Sequence, residues 1–304
     1  MGQPARIDQQ AGRWALVDGI PFQMPVYCRN SPALFAAFSI NWDKAWDKAR
    51  KLIPGSEIYP LRLWNKGLLI VSVIDYLDTN IGRYIEFSIA IACTHGPRPA
   101  PRFLPGVFMR HYGTGQWVWD LPVSTEISVK GGKGIWGMPK HQANLNYILG
   151  DKIISSQYDV DGQFALKIEV ERPRSAWFPV SMTGVNYCAF RGLLMKSSLY
   201  FKGKIGFHLF KKGAAKLTIG DHPRMQPLKE LEIEPDPILA AFVPSATGVL
   251  DDHFESWFLS EPKLPTVVPP GMESVVHLGQ GQEWLAPPVP VSDSADVPTL
   301  VSGR

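Results

Sequence analysis

In "GIWGMPKHQANL", residues 134–145, a lysine directly follows a proline inside a run of aromatic, aliphatic and glycine residues. Lys140 either points to solvent or is buried for a purpose, because an ammonium in apolar surroundings loses hydration and finds no partner nearby in sequence. The purpose would be chemical. A primary amine in its neutral form, which desolvation favours, adds to a carbonyl carbon and forms an imine. That chemistry also needs a group that moves protons and orients the substrate. "GRYIEFSIAIAC", residues 82–93, supplies a carboxylate, Glu86, in a mostly apolar, strand-like stretch. The plain alternative for Glu86 is an edge-facing carboxylate paired with Arg83.

Other chemistries find less support. Gly132, Gly134 and Gly137 satisfy G-x-G-x-x-G after the strand-like "TEISVK", and Asp151 follows at a distance suited to a ribose. That fingerprint needs a helix opening at its last glycine, whereas here Met-Pro-Lys follows with no helical stripe, so nucleotide binding is not expected. The seven histidines show no His-x-x-x-His pairing and no acidic cluster joins them, which leaves no metal motif. No G-x-S-x-G nucleophile elbow is present. Cys93 and Cys188, each in an apolar context, read as core residues.

The whole chain sets bounds on these readings. Its 304 residues suffice for a large core, and 45% hydrophobic and 19% charged residues are ordinary for a globular protein. A net charge of +3 is too small to argue for nucleic acid or an anionic membrane. Three scattered cysteines favour reduced thiols over a disulfide framework. The first residues lack the apolar segment of a secretory signal, and "GLLIVSVIDYL" is too short to span a bilayer. A cytoplasmic protein is expected.

The elements that must hold the two candidate residues are mostly strands. One helix is expected in "NWDKAWDKARKLIPG": Trp42, Ala45, Trp46, Ala49, Leu52 and Ile53 form a stripe, Asn41 caps it and Pro54 stops it. Eight runs, at 33–40, 67–77, 83–93, 115–123, 152–160, 164–171, 197–210 and 215–220, are rich in β-branched or aromatic residues. They predict a mainly β, α+β chain whose largely antiparallel strands close or curl into a barrel with few helices. Residues 1–262 read as this barrel domain. Residues 263–304, rich in Pro, Ser and Val without periodicity, read as an extended tail in which Trp284 is a docking candidate.

"GGKGIWGMPKHQANL" resembles the active-site segment of the acetoacetate decarboxylase family, read as a glycine-led strand ending in Pro-Lys with a Schiff-base lysine. "IGRYIEF" is similar to that family's Gly-x-Tyr-x-Glu segment with its catalytic glutamate. The strand and helix at 33–53, the "LIPG" turn and "GDHP" at 220–223 match further segments in the same order over roughly residues 20–260. The resemblance implies a curled antiparallel β-barrel, Lys140 as the imine-forming residue, Glu86 as the catalytic glutamate and Arg29 as an arginine near the first barrel strand. It also implies a homo-oligomer, a small keto acid as substrate, and neither metal nor dissociable cofactor, the imine itself being the electron sink.

Two positions depart from the family pattern. The second lysine of the motif is His141, and the second active-site glutamate falls near Ser72. Schiff-base chemistry survives these changes, while acetoacetate itself is put in question. The expected activity is decarboxylation of a β-keto acid; the alternatives are an aldolase–dehydratase on a 2-oxo acid using the same lysine, or a non-catalytic ligand-binding barrel. Trp136, Met138 and Phe87 are expected to wall a dry pocket, with His141 beside the nucleophile.

Overall fold

The structure, a computed structural model, describes residues 13–190, 192–250 and 255–259. The tail at 263–304, with Trp284, lies outside the described residues. In chain order the principal elements begin with β1 (Arg13–Val17), β2 (Ile20–Met24) and β3 (Val26–Asn41), followed by helix α1 (Trp42–Leu52). Next come β4 (Lys66–Tyr76), β5 (Tyr84–His95), β6 (Gly115–Val123), helix α2 (Glu126–Trp136) and β7 (Lys140–Gln142). The remainder is β8 (Ile153–Val160), β9 (Gln163–Glu171), β10 (Phe178–Phe190), β11 (Leu193–Leu209), β12 (Ala215–Ile219) and β13 (Pro237–Leu250).

Seven strands close a barrel in the order β5, β4, β3, β13, β11, β10, β6 and back to β5. Its pairings are antiparallel except that between β10 and β6, which is parallel. The barrel is therefore mainly β and curled, as expected, but only five of the eight expected runs lie in it. Those at 152–160, 164–171 and 215–220 form β8, β9 and β12 of a separate antiparallel sheet.

Strand alternation decides what each face does. On β5, Phe87, Ile89, Ile91 and Cys93 point outward; on β4, Leu69, Val71 and Val73 do the same. They pack with Ile154, Tyr158, Leu166 and Ile168 of the second sheet and with Ala45 and Ala49 of α1 into the main core. The largest core thus lies between the barrel's outer wall and its covering layer. The inward residues of the same strands, Glu86, Ser88 and Ala92 on β5 and Ile70, Ser72 and Ile74 on β4, line the barrel's interior cavity instead.

Helix α1 follows its sequence cues: the Asn41 side chain accepts a 3.2 Å bond from the Lys44 N–H, and Arg50 and Lys51 fill the last turn. Trp42 and Trp46 are half-buried and stack 6.2 Å apart, with Trp46 continuing onto Tyr59 at 4.7 Å.

The glycine-rich segment corrects the sequence reading. Residues 126–136 are helical, and only at Lys140 does a strand begin. The helix stops at Gly137, in the left-handed region at φ 62°, whose N–H bonds to the Lys133 carbonyl at 3.1 Å. The glycines thus sit toward the C-terminal part of a helix, the reverse of a nucleotide fingerprint.

Candidate active site

Lys140 is placed by two neighbours of its backbone. β7 pairs in parallel with β6, Leu121 opposite Lys140 and Pro122 opposite His141, so these consecutive side chains leave on opposite faces. Helix α2 lies against the lysine stem. A β-carbon on Gly132 would stand 2.7 Å from Lys140 Cε, and one on Gly131 would stand 2.8 Å from Phe22 Cε1. Close approach to these groups explains glycines in a helix that they otherwise weaken.

The lysine is 2% exposed. Its Nζ stands 2.7 Å from Glu86 Oε2 and donates a 3.0 Å hydrogen bond to Ser128 Oγ. The Tyr84 ring lies beneath, with Nζ 5.3 Å from its centroid. Tyr84 stacks on Tyr76 at 4.5 Å. Burial first, and then the Glu86 charge, push both phenols well above the usual tyrosine range, so they stay neutral. Burial likewise pushes the Cys188 thiol up to about 12, against the pull of the Lys140 charge. The alternative pairing for Glu86 is not formed: Arg83 instead holds Asp75 at 3.1 Å.

Glu86 connects this pair to the barrel's interior. The cavity there encloses about 430 Å³ and is walled mainly by apolar side chains such as Phe35, Ile70, Leu199, Phe201 and Val243. Among the described residues Glu86 is the one charged side chain on its wall. Ser72 and Ser88, directly paired across β4 and β5, add hydroxyls, and Asn186 and Gln116 add amides. Lys140 is not itself on the wall; it is reached past Glu86 and Met138. Among the described residues no three His, Cys, Asp or Glu side chains gather as metal ligands.

The residues proposed from sequence separate accordingly. Met138 lines the cavity beside Glu86, and so does Ser72. Trp136 is buried with Phe22 and Met24 in a secondary core rather than on the wall. Phe87 points outward against Tyr158, with ring centroids 6.0 Å apart, because it alternates with Glu86. Arg29 is exposed and ion-paired with Asp78 at 3.1 Å, away from the cavity wall.

His141 belongs to a different polar cluster on the barrel's outer face. Its Nε2 is 2.8 Å from Asp120 Oδ1, Tyr158 donates to Asp120 at 3.3 Å, and Arg224 stands 3.6 Å from the same carboxylate. Burial, aided by the Arg224 charge, holds the imidazole below its usual range and outweighs the opposing pull of Asp120. Burial alone would raise the Asp120 carboxyl, but His141, Arg224 and Tyr158 together hold it low. His141 is therefore a neutral partner of a buried carboxylate, not a second cation beside the nucleophile. Three contributors escaped the sequence reading: Ser128, Gly132 and the Tyr84 ring. The first two sit on α2, whose helical character the glycines concealed.

Comparison with known proteins identifies a family and a shared fold. The family model described as acetoacetate decarboxylase (ADC) matches residues 21–177. No curated protein matches the chain by sequence. Among solved structures, acetoacetate decarboxylase from Legionella pneumophila superposes with a TM-score of 0.51 at 14% identity, covering 75% of this chain and 85% of that one. A second acetoacetate decarboxylase gives 0.51 at 15% identity over 77% and 89%. The enduracididine biosynthesis enzyme MppR, solved with pyruvate, gives 0.51 at 14% over 79% and 91%. At these identities the likeness is one of fold.

Proposed function

This chain belongs to the acetoacetate decarboxylase family, and on that premise we propose that it is a Schiff-base lyase that decarboxylates a β-keto acid through Lys140. The observation that carries the reading is the buried Lys140–Glu86 contact of 2.7 Å at the edge of an apolar cavity. In this reading the Lys140 amine, its proton passed to Glu86, attacks the keto carbon. Glu86 returns the proton to the departing hydroxyl, so water leaves and a protonated imine remains. The bond to the carboxylate carbon then breaks, its electron pair flows toward the imine nitrogen, and carbon dioxide departs. The resulting enamine takes a proton at carbon, and hydrolysis releases a ketone and the free amine. The apolar wall supports the decarboxylation step, because among the described residues no cationic side chain lines it to hold a carboxylate.

A second reading is condensation of a 2-oxo acid with an aldehyde, followed by loss of water. MppR has also been solved with the condensation product of pyruvate and imidazole 4-carboxaldehyde, on the same fold, and 430 Å³ accommodates two small reactants. The third, a binding barrel without chemistry, predicts no covalent adduct. Borohydride added during incubation with a 3-oxo acid, or with pyruvate and an aldehyde, separates the three. The expected outcome is a reduced adduct on Lys140 and carbon dioxide release from the 3-oxo acid alone. An adduct with pyruvate but no carbon dioxide release moves the protein to the second reading. No adduct with either leaves the third. Within this proposal residues 1–262 are the catalytic unit, and the protein works in the cytoplasm as a homo-oligomer without nucleic acid or membrane. Among the described residues no helix is long and apolar enough to cross a membrane.

A further inference from the structure

We infer that the group carried by the reacting carbonyl is a long, uncharged hydrocarbon or aryl chain rather than the methyl group of a four-carbon keto acid. The inference rests on the Schiff-base reading of Lys140 and extends it to a substrate class. Size comes first. At roughly 30 Å³ for each water-sized group, a cavity of 430 Å³ holds more than a dozen non-hydrogen atoms, about twice a four-carbon keto acid.

The wall also has a direction. Among the described residues its one charged side chain, Glu86, lies at the Lys140 end, with Ser88 and Ser72 beside it, while the Gln116 and Asn186 amides and the Thr114 and Thr183 hydroxyls are set into the rest of an otherwise apolar wall. From Glu86 the inward face of β5 continues to Ala92, six residues and roughly 20 Å along the strand. Leu61, whose N–H bonds to the Ala92 carbonyl at 2.7 Å, and Met109 line that far end. Gln116, opposite Ala92, donates to Asn186 at 2.7 Å, and Thr114 donates to the Pro105 carbonyl at 2.9 Å, so these polar groups are already partnered and methylene groups sit among otherwise apolar neighbours. The inward positions of β13 explain how the space is kept: Ala241 and Ala246 leave room where larger residues would fill a barrel of this size.

Apolar side chains are also exposed beside the far end. Val107 and Phe108, next to Met109, are 74% and 56% exposed. Exposed apolar side chains at a cavity mouth suit a chain that leaves water there.

The test is a straight-chain series of 3-oxo acids from four to twelve carbons, trapped with borohydride and read by mass spectrometry as the adduct on Lys140. Half-saturation should tighten roughly fourfold with each added methylene until the wall is filled, so that 3-oxodecanoate exceeds acetoacetate by at least about 100-fold. Ala37→Phe should cost the ten-carbon acid about tenfold or more and leave acetoacetate trapping within about twofold, since Ala37 is in register with Ile70 and Ala90, toward the Ala92 end. Leu239→Trp, paired with Ala37 across the neighbouring strands, is the second variant should the first fail to fold. In parallel, methyl ketones from acetone to 2-undecanone are compared by thermal shift, which needs no covalent step. Rising stabilisation with length is expected. Adducts of equal affinity across the series, or tightest binding of acetoacetate, would overturn the inference while leaving the Schiff base intact. Absence of every adduct together with length-dependent thermal shifts would sink the Schiff-base reading and leave the apolar occupant standing. Absence of both overturns the two together.

Discussion

The methylene stem of Lys140 occupies the volume that a side chain on Gly132 would need, with Cε only 2.7 Å from where that β-carbon would stand. One turn earlier on the same helix, Ser128 receives the lysine's hydrogen bond. The helix thus shapes both ends of the nucleophile.

Gly132→Ala should therefore separate activity from stability. The methyl group displaces a flexible stem rather than backbone, and alanine favours the helix by up to about 1 kcal/mol. Melting temperature should change little. Turnover should fall by about tenfold to 100-fold, because a shift near 1 Å at the reacting atom costs that much. Unchanged turnover would show that Lys140 reacts from another position.

Lys140→Arg and Lys140→Ala should both lose turnover and the borohydride adduct, since arginine keeps its charge and forms no imine. Lys140→Ala should also destabilise the fold by about 1–3 kcal/mol, because a buried carboxylate loses its partner. Adding Glu86→Gln to that variant should restore part of the loss in chemical denaturation. Independent, additive effects would mean that the 2.7 Å contact carries no coupling.

Glu86→Gln alone should lower kcat by roughly 10²–10⁴-fold while the Michaelis constant moves far less, the pattern of a group that transfers protons. A change confined to the Michaelis constant would make Glu86 a binding residue.

Acid stability should depend on His141. Its imidazole is held below the ordinary value of 6.5 by burial and by Arg224, so the unfolded chain takes up a proton before the folded one does. The stability contributed by neutral His141 is complete above about pH 6.5 and is lost as pH falls from there toward the depressed folded value. His141→Gln should flatten the decline in melting temperature between pH 7 and 5. Some slope should remain, because burial shifts His95 in the same direction. An equal slope in the variant would place the acid sensitivity elsewhere.

What was legible in the sequence follows from packing. Runs such as "YIEFSIAIAC" were recognisable because their outward residues face the dense core. β10 and β13 are hard to read in the sequence for the converse reason. They line a cavity, so "PILAAFVPSATGVL" carries alanines where strand signals would be bulky, and Pro244 falls at a register shift between Val243 and Ala246. α2 was hidden by glycines that only its neighbours explain. The Pro-Lys and Gly-x-Tyr-x-Glu segments brought Lys140 and Glu86 into view, but not Ser128, which neither segment contains. Phe87 and His141 lie next to the key residues in sequence, which suggests a place in the pocket. In a strand that adjacency places them on the other side of the wall.

The screening of Lys140 by Glu86 bears on how the protein survives its own chemistry. Cells hold abundant reactive aldehydes, reducing sugars foremost, and an accessible imine-forming amine would be consumed by glycation. To reach Lys140 a sugar would have to shed most of its water along a mainly apolar passage and then pass Glu86. Prolonged incubation with glucose should modify exposed lysines such as Lys51, 72% exposed at its side chain, and spare Lys140, as peptide mapping would show. The barrel then acts as a sieve for the longevity of its nucleophile as much as a container for its substrate.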